Sequence, residues 1–143
     1  MVKEVKPKSK VFFTTGKWRK AVARARVSPG SGRILINSTP LSIWADEPRR
    51  LWVREPLIIA DEVAGGIDIE VNTRGGGAVG QAEAVRMAIA KGIVTFTRDK
   101  KLKQKMLEYD RNLLVYDPRR NEPHHAGGAS RRGSRRHKQR SKR

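Results

Sequence analysis

Cysteine is absent from all 143 residues. Disulfides, cysteine-ligated zinc and thiol chemistry are thereby excluded, and a reducing compartment is compatible with the chain. Long apolar runs are also missing; none approaches the roughly 20 residues of a membrane span. The first ten residues, MVKEVKPKSK, lack the apolar stretch of a signal peptide, so a cytoplasmic protein with no membrane partner is expected. Aromatic residues make up only 6% of the chain. Acid is scarce beside base, with 14 Asp and Glu against 32 Lys and Arg, a formal charge of +18. A polyanionic partner is expected, nucleic acid before an anionic membrane surface.

The charge is unevenly placed. Residues 1–27 carry nine basic side chains against Glu4, and residues 118–143 carry ten against Glu122. Between them, residues 28–117 are nearly neutral, with thirteen basic and twelve acidic side chains. This predicts a flexible basic arm over 1–10, one folded domain over 11–117 and an extended basic tail over 118–143. The tail sequence GGASRRGSRRHKQRSKR shows no apolar periodicity and is expected to be disordered when free. Fully extended, residues 118–143 reach up to about 85 Å. The domain has an expected radius of gyration of only roughly 13 Å.

Within the domain, Val11–Thr15 reads as a strand, Gly16 as a turn and Lys17-Trp18-Arg19-Lys20 as a basic loop. Ala21–Val27 alternates small apolar residues with Val22, Arg24 and Arg26, which puts the two arginines on one face away from the core. Ser28–Gly32 signals a turn, with Arg33–Asn37 as the hairpin partner of the preceding strand. Leu41–Trp44 extends the sheet in this reading. Asp46-Glu47-Pro48 starts a helix that Pro56 breaks or kinks. Trp44 and Trp52, flanking it, are expected in the core. Ile67–Asn72 alternates as a half-buried strand. Ala82, Val85, Ile89, Ile93 and Phe96 then form a helical stripe, with Gln81, Arg86 and Lys91 off it. Asp99 caps a second helix, whose stripe is Leu102, Met106 and Tyr109.

Gly75, Gly77 and Gly80 form G-x-G-x-x-G between a strand and a helix, the setting of a dinucleotide fingerprint. A nucleotide-dependent enzyme using Gly75–Gly80 is therefore one reading. It lacks the following apolar strand with an acidic end, the buried first strand and the second nucleotide-binding half. A tight strand-to-helix turn is another reading. The reading adopted is that the amides of Gly75, Gly76 and Gly77, with Arg74, meet an RNA phosphate. His124-His125 and the pairs Asp46-Glu47 and Asp61-Glu62 assemble neither a metal site nor an acid–base pair, and no G-x-S-x-G elbow occurs. No catalytic residue, metal, cofactor or small-molecule substrate is expected. Trp18 is either a base-stacking residue or a half-buried anchor for its loop.

Several motifs resemble the small-subunit ribosomal protein nine family in its archaeal or eukaryotic-like form. They are Thr15–Arg24 (TGKWRKAVAR), Glu55-Pro56-Leu57, Gly75–Lys91 (GGGAVGQAEAVRMAIAK), Asp117-Pro118-Arg119 and the terminal Ser141-Lys142-Arg143. The resemblance spans residues 11–143. It implies an α+β fold, a two-layer α/β sandwich with a mixed sheet and a left-handed crossover, like domain two of ribosomal protein five. It implies a place in the head of the small ribosomal subunit among neighbouring head proteins, bound to ribosomal RNA. With the charge pattern, it gives an RNA-binding set of Lys17, Trp18, Arg19, Lys20, Arg24, Arg26, Arg74, Gly75, Gly76, Gly77, Arg119, Arg120, Arg131, Arg132, Arg135, Arg136 and Lys138. It further implies a tail that reaches the anticodon stem-loop of peptidyl-site tRNA through Arg140, Lys142 and Arg143. The chain departs from the pattern at Pro123-His124-His125, where many members carry Arg-Lys-Lys, and at Trp18, where many carry Arg. A stand-alone basic RNA-binding or chaperone module is the alternative from composition.

Overall fold

The computed structural model describes residues 11–120, apart from the side chain of Glu62. The described chain forms strands β1 (Phe12–Trp18), β2 (Ala21–Pro29), β3 (Ile34–Ile36) and β4 (Thr39–Pro40), helix α1 (Glu47–Ala64), strand β5 (Ile67–Arg74), helices α2 (Ala78–Thr97) and α3 (Lys100–Tyr109), and a 3-10 turn over Arg111–Leu113. The five strands make one sheet in the order β1-β2-β5-β3-β4. All neighbours are antiparallel except β3 and β5, which run parallel. The fold is α+β with a mixed sheet.

Alternation decides which face of the sheet is covered. Ala21, Ala23, Ala25 and Val27 of β2 and Ile67, Ile69 and Val71 of β5 point into the core, and Arg24 and Arg26 point out. Helix α2 lies on the inner face against β1, β2 and β5, with α1 packed beside it. Small side chains let it approach closely. Thr14 donates its hydroxyl to the Ala88 carbonyl at 2.9 Å. A Cβ on Gly16 would lie 2.0 Å from the Ala84 carbonyl oxygen. Gly16 is therefore a mid-strand packing residue and not the expected turn; β1 runs on to Trp18, and the chain reverses at Arg19-Lys20.

Other expectations need correction. β3 does not pair with β2, because β5 lies between them. The Ser28–Gly32 turn is instead pinned across the end of β5: Asp68 accepts the N–H of Ser31 at 2.8 Å and of Arg33 at 2.9 Å. Asn37 extends the parallel ladder with its side chain, accepting the Thr73 N–H at 2.8 Å and donating to the Thr73 carbonyl at 3.2 Å. Leu41–Trp44 is a turn, not a strand. Pro56 is buried inside α1, and the break in helical dihedrals falls at Asp61 (φ 9°, ψ −77°). Trp44 packs against the core, but Trp52 is 37% exposed and Tyr109 58% exposed. Arg86 is buried, because α2 is covered by α1 as well as by the sheet. Asp99 caps α3 as expected, accepting the Lys101 N–H at 2.8 Å.

Candidate nucleic-acid interface

The glycine turn and the β1–β2 hairpin meet at one end of the sheet. Gly75 (φ 78°) and Gly76 (φ 67°) take left-handed conformations that other residues enter at a cost. They also sit tightly on the hairpin: a Cβ at Gly75 would lie 2.8 Å from the Lys20 carbonyl oxygen, and one at Gly76 3.0 Å from the Ala21 nitrogen. Gly77 is the N-cap of α2, and the first turn of that helix carries no acidic side chain. The N–H groups opening a helix lack intrahelical acceptors and carry the positive end of its dipole. The strand-to-helix turn thus holds this helix start beside Lys17–Lys20.

A cleft of about 920 Å³ occupies the junction, lined by Lys17, Trp18, Arg19, Lys20, Gly76, Gly77, Val79, Gly80, Arg119 and Arg120 among others. Over Lys20 and Gly75 lies a second hollow of about 660 Å³, which adds Arg24, Arg74, Asn37 and Asn72. Strand register explains the second group. Lys17, Val22 and Arg74 stand in one cross-strand row, and Thr15, Arg24 and Asn72 in the next. The outer face of the sheet is therefore basic toward the hairpin turn. Arg26 stands apart from this group, one row further on, where it pairs with Glu70 at 3.2 Å.

The start of the tail belongs to the cleft. Asp117 is 6% exposed. One carboxylate oxygen accepts the Arg19 N–H at 3.0 Å; the other accepts the backbone N–H of Arg119 at 3.1 Å and its Nε–H at 2.9 Å. The Arg119 hydrogen bond, opposed by desolvation, holds the Asp117 carboxyl below the ordinary carboxylate value. The Arg119 guanidinium lies over the Trp18 ring, 4.8 Å from its centroid. The next arginine, Arg120, lies over Tyr116 at 5.5 Å and donates to its hydroxyl. Trp18 itself is half-buried against the core. Basic residues were expected at the site from the sequence, whereas Asp117 entered only as part of the Asp117-Pro118-Arg119 motif, and neither it nor Tyr116 was expected to build the site. The signal for Asp117 was an acid immediately before the proline at which composition changes.

Of the residues expected to bind RNA, the structure gathers Lys17, Trp18, Arg19, Lys20, Arg24, Arg74, Gly75, Gly76, Gly77, Arg119 and Arg120 around these two hollows. Arg131, Arg132, Arg135, Arg136, Lys138, Arg140, Lys142, Arg143 and the arm 1–10 lie outside the described residues. Among the described residues no strand follows α2, so the G-x-G-x-x-G turn lacks the second parallel strand of a dinucleotide unit.

Comparison with known proteins decides the family. A model of the ribosomal protein S9/S16 family matches residues 16–143. This chain belongs to the ribosomal protein S9/S16 family. It is similar to the small ribosomal subunit protein uS9 of Methanococcus vannielii, with 45% identity over 132 residues, covering 92% of this chain and 98% of that relative. Two strains of Methanococcus maripaludis carry proteins of the same description, each 47% identical over 115 residues and covering 80% of this chain and 86% of the relative. An S9/S16 chain is a structural ribosomal component and not an enzyme. The matched span takes in both the glycine turn and the tail.

Proposed function

We propose that this protein is a structural constituent of the small ribosomal subunit that binds ribosomal RNA through the hairpin–glycine cleft and the adjoining basic sheet face. Residues 11–117 form the docked body, and residues 1–10 and 118–143 are basic extensions that contact RNA. The tail reaches peptidyl-site tRNA through Arg140, Lys142 and Arg143. The protein acts in the cytoplasm, on the ribosome, among the neighbouring proteins of the subunit head.

The observation that carries this reading is convergence. Lys17, Arg19, Lys20, Arg119 and Arg120 come from a hairpin and a tail about a hundred residues apart, and they open on one cleft beside an acid-free helix start. Such a surface suits phosphate, which is recognised by lysine, arginine and backbone N–H groups. Proteins similar to this chain along most of its length are described as small ribosomal subunit proteins, which supplies the RNA.

Sedimentation of a cell lysate through a sucrose gradient tests the main claim. The protein is expected in the small-subunit fractions; recovery mainly at the top of the gradient overturns the reading and favours a stand-alone RNA-binding module. Deleting Ser141–Arg143 tests the tail. Subunits are expected to assemble while peptidyl-site tRNA binds more weakly, and unchanged tRNA affinity refutes the role of Arg143.

A further inference from the structure

Two arginines leave the body of this protein stacked on aromatic rings, and one of them is held there by a buried acid. Free arginine side chains in a basic tail sample many rotamers, and fixing one costs side-chain entropy. Here that cost is met before any ligand arrives. Asp117 takes both the backbone N–H and the Nε–H of Arg119, while its second oxygen fixes the hairpin turn at Arg19. The Arg119 guanidinium then covers Trp18. Its Nη1 and Nη2 groups make no hydrogen bond among the described residues. The Arg119 side chain is 50% exposed. A flat, cationic plate with unused donors thus faces the cleft of about 920 Å³.

We propose that the Trp18–Arg119 pair is a stacking platform for one unpaired nucleobase of RNA, with Asp117 as the residue that positions it. The proposal rests on the RNA-binding reading above and adds a base to its phosphates. Guanidinium planes and aromatic rings are the surfaces on which splayed-out RNA bases stack. The cleft is wide enough to admit a nucleotide. Its wall combines apolar Val22, Val79 and Gly80, which suit a base, with basic Lys17, Lys20 and Arg120, which suit a phosphate. A platform made only of charge would not need a carboxylate buried beneath it. Asp117 removes part of the local positive charge, which weakens pure phosphate attraction, and in return it fixes the orientation of one planar cation.

The test uses the full chain with Trp44 and Trp52 replaced by Phe, so that Trp18 is its one tryptophan. The probe is a short single-stranded RNA, compared with an RNA of the same length whose central nucleotides are abasic. The base-bearing RNA is expected to quench Trp18 fluorescence and to bind on the order of tenfold more tightly than the abasic one. Arg119→Lys keeps the charge but loses the plane. It and Asp117→Asn are each expected to bring the affinities for the two RNAs within about twofold of each other. Equal affinity for the two RNAs, or a preference that survives Arg119→Lys, overturns the platform and leaves phosphate binding standing. If neither RNA binds, the RNA-binding reading fails together with the platform.

Discussion

Arg86 shows what a single side chain does for this fold. Its side chain is only 10% exposed, on α2, with Nη1 2.9 Å from Asp110 and 3.3 Å from Glu83, and Nη2 in an ion pair with Glu55 on α1. Burial alone would disfavour its charge; the carboxylates of Glu55, Glu83 and Asp110 more than offset this and raise its pKa above the ordinary arginine value. Removing one partner of a buried ion pair leaves uncompensated charge, which is far more costly than losing a surface pair. Arg86→Gln is therefore expected to cost about 3–5 kcal/mol of stability by urea denaturation. A loss below about 1 kcal/mol would mean that solvent screens the cluster as it does an exposed pair. Asp68 makes a second residue-scale case. The N–H groups of Arg33 and then Ser31 bond its carboxylate and hold its pKa below the ordinary value, against desolvation. A depressed carboxylate contributes stability above its unfolded pKa and loses it as pH falls through the folded one. The stability advantage of the wild type over Asp68→Asn should thus be full above about pH 5 and shrink steadily below about pH 4. Paired melts across that range check it; an advantage independent of pH would show that neutral hydrogen bonding alone holds the turn.

At the scale of elements, the fold depends on how closely α2 can approach the sheet. Gly16, Ala21, Ala23 and Ala25 on the strands and Ala84 and Ala88 on the helix are the residues that allow it. A methyl at position 16 meets helix backbone, which cannot move aside as a side-chain tip can. Gly16→Ala is expected to cost about 1–3 kcal/mol, the range of overpacked cores. That corresponds to a fall in Tm of several degrees for a domain of this size. An unchanged Tm would mean that α2 can shift freely on β1. This contact also marks where the sequence stopped being readable. Ile67–Asn72 and Ala21–Val27 were legible because a strand buried on one face repeats every two residues. The stripe of α2 was legible too, but the burial of Arg86 was not, since its partners Glu55 and Asp110 lie elsewhere in the chain. Pairing of the three-residue β3 with β5 was equally hidden: a turn-rich Ser28–Gly32 looks like a hairpin whichever strand settles alongside. In the candidate site the basic side chains announced themselves by charge. Asp117 did not, because its role depends on the Arg19 amide 98 positions away.

For the whole molecule, the charge is concentrated at the two ends of the chain. The interior stretch 28–117 is close to neutral, and most of the +18 lies in the two ends. A body of this kind folds without strong self-repulsion, and in the proposed function the basic ends act on RNA by displacing counterions. The two contributions can be separated in solution. Replacing Arg131, Arg132, Arg135, Arg136, Lys138, Arg140, Lys142 and Arg143 with Gln in the full chain removes charge from positions that carry no apolar side chains for a core. The Tm of the body is expected to stay within about one degree, because surface substitutions away from packed features rarely change stability. The salt dependence of RNA affinity is expected to change greatly. With a single-strand slope of about −0.7 per neutralised phosphate, eight lost contacts reduce its magnitude by up to about 6. Replacing only Lys17 and Lys20 should reduce it by roughly 1–2 on the same basis. Titrations of RNA at several salt concentrations measure both. A slope that survives neutralisation of the tail would place the phosphate contacts on the body alone, and residues 118–143 would then need a different partner.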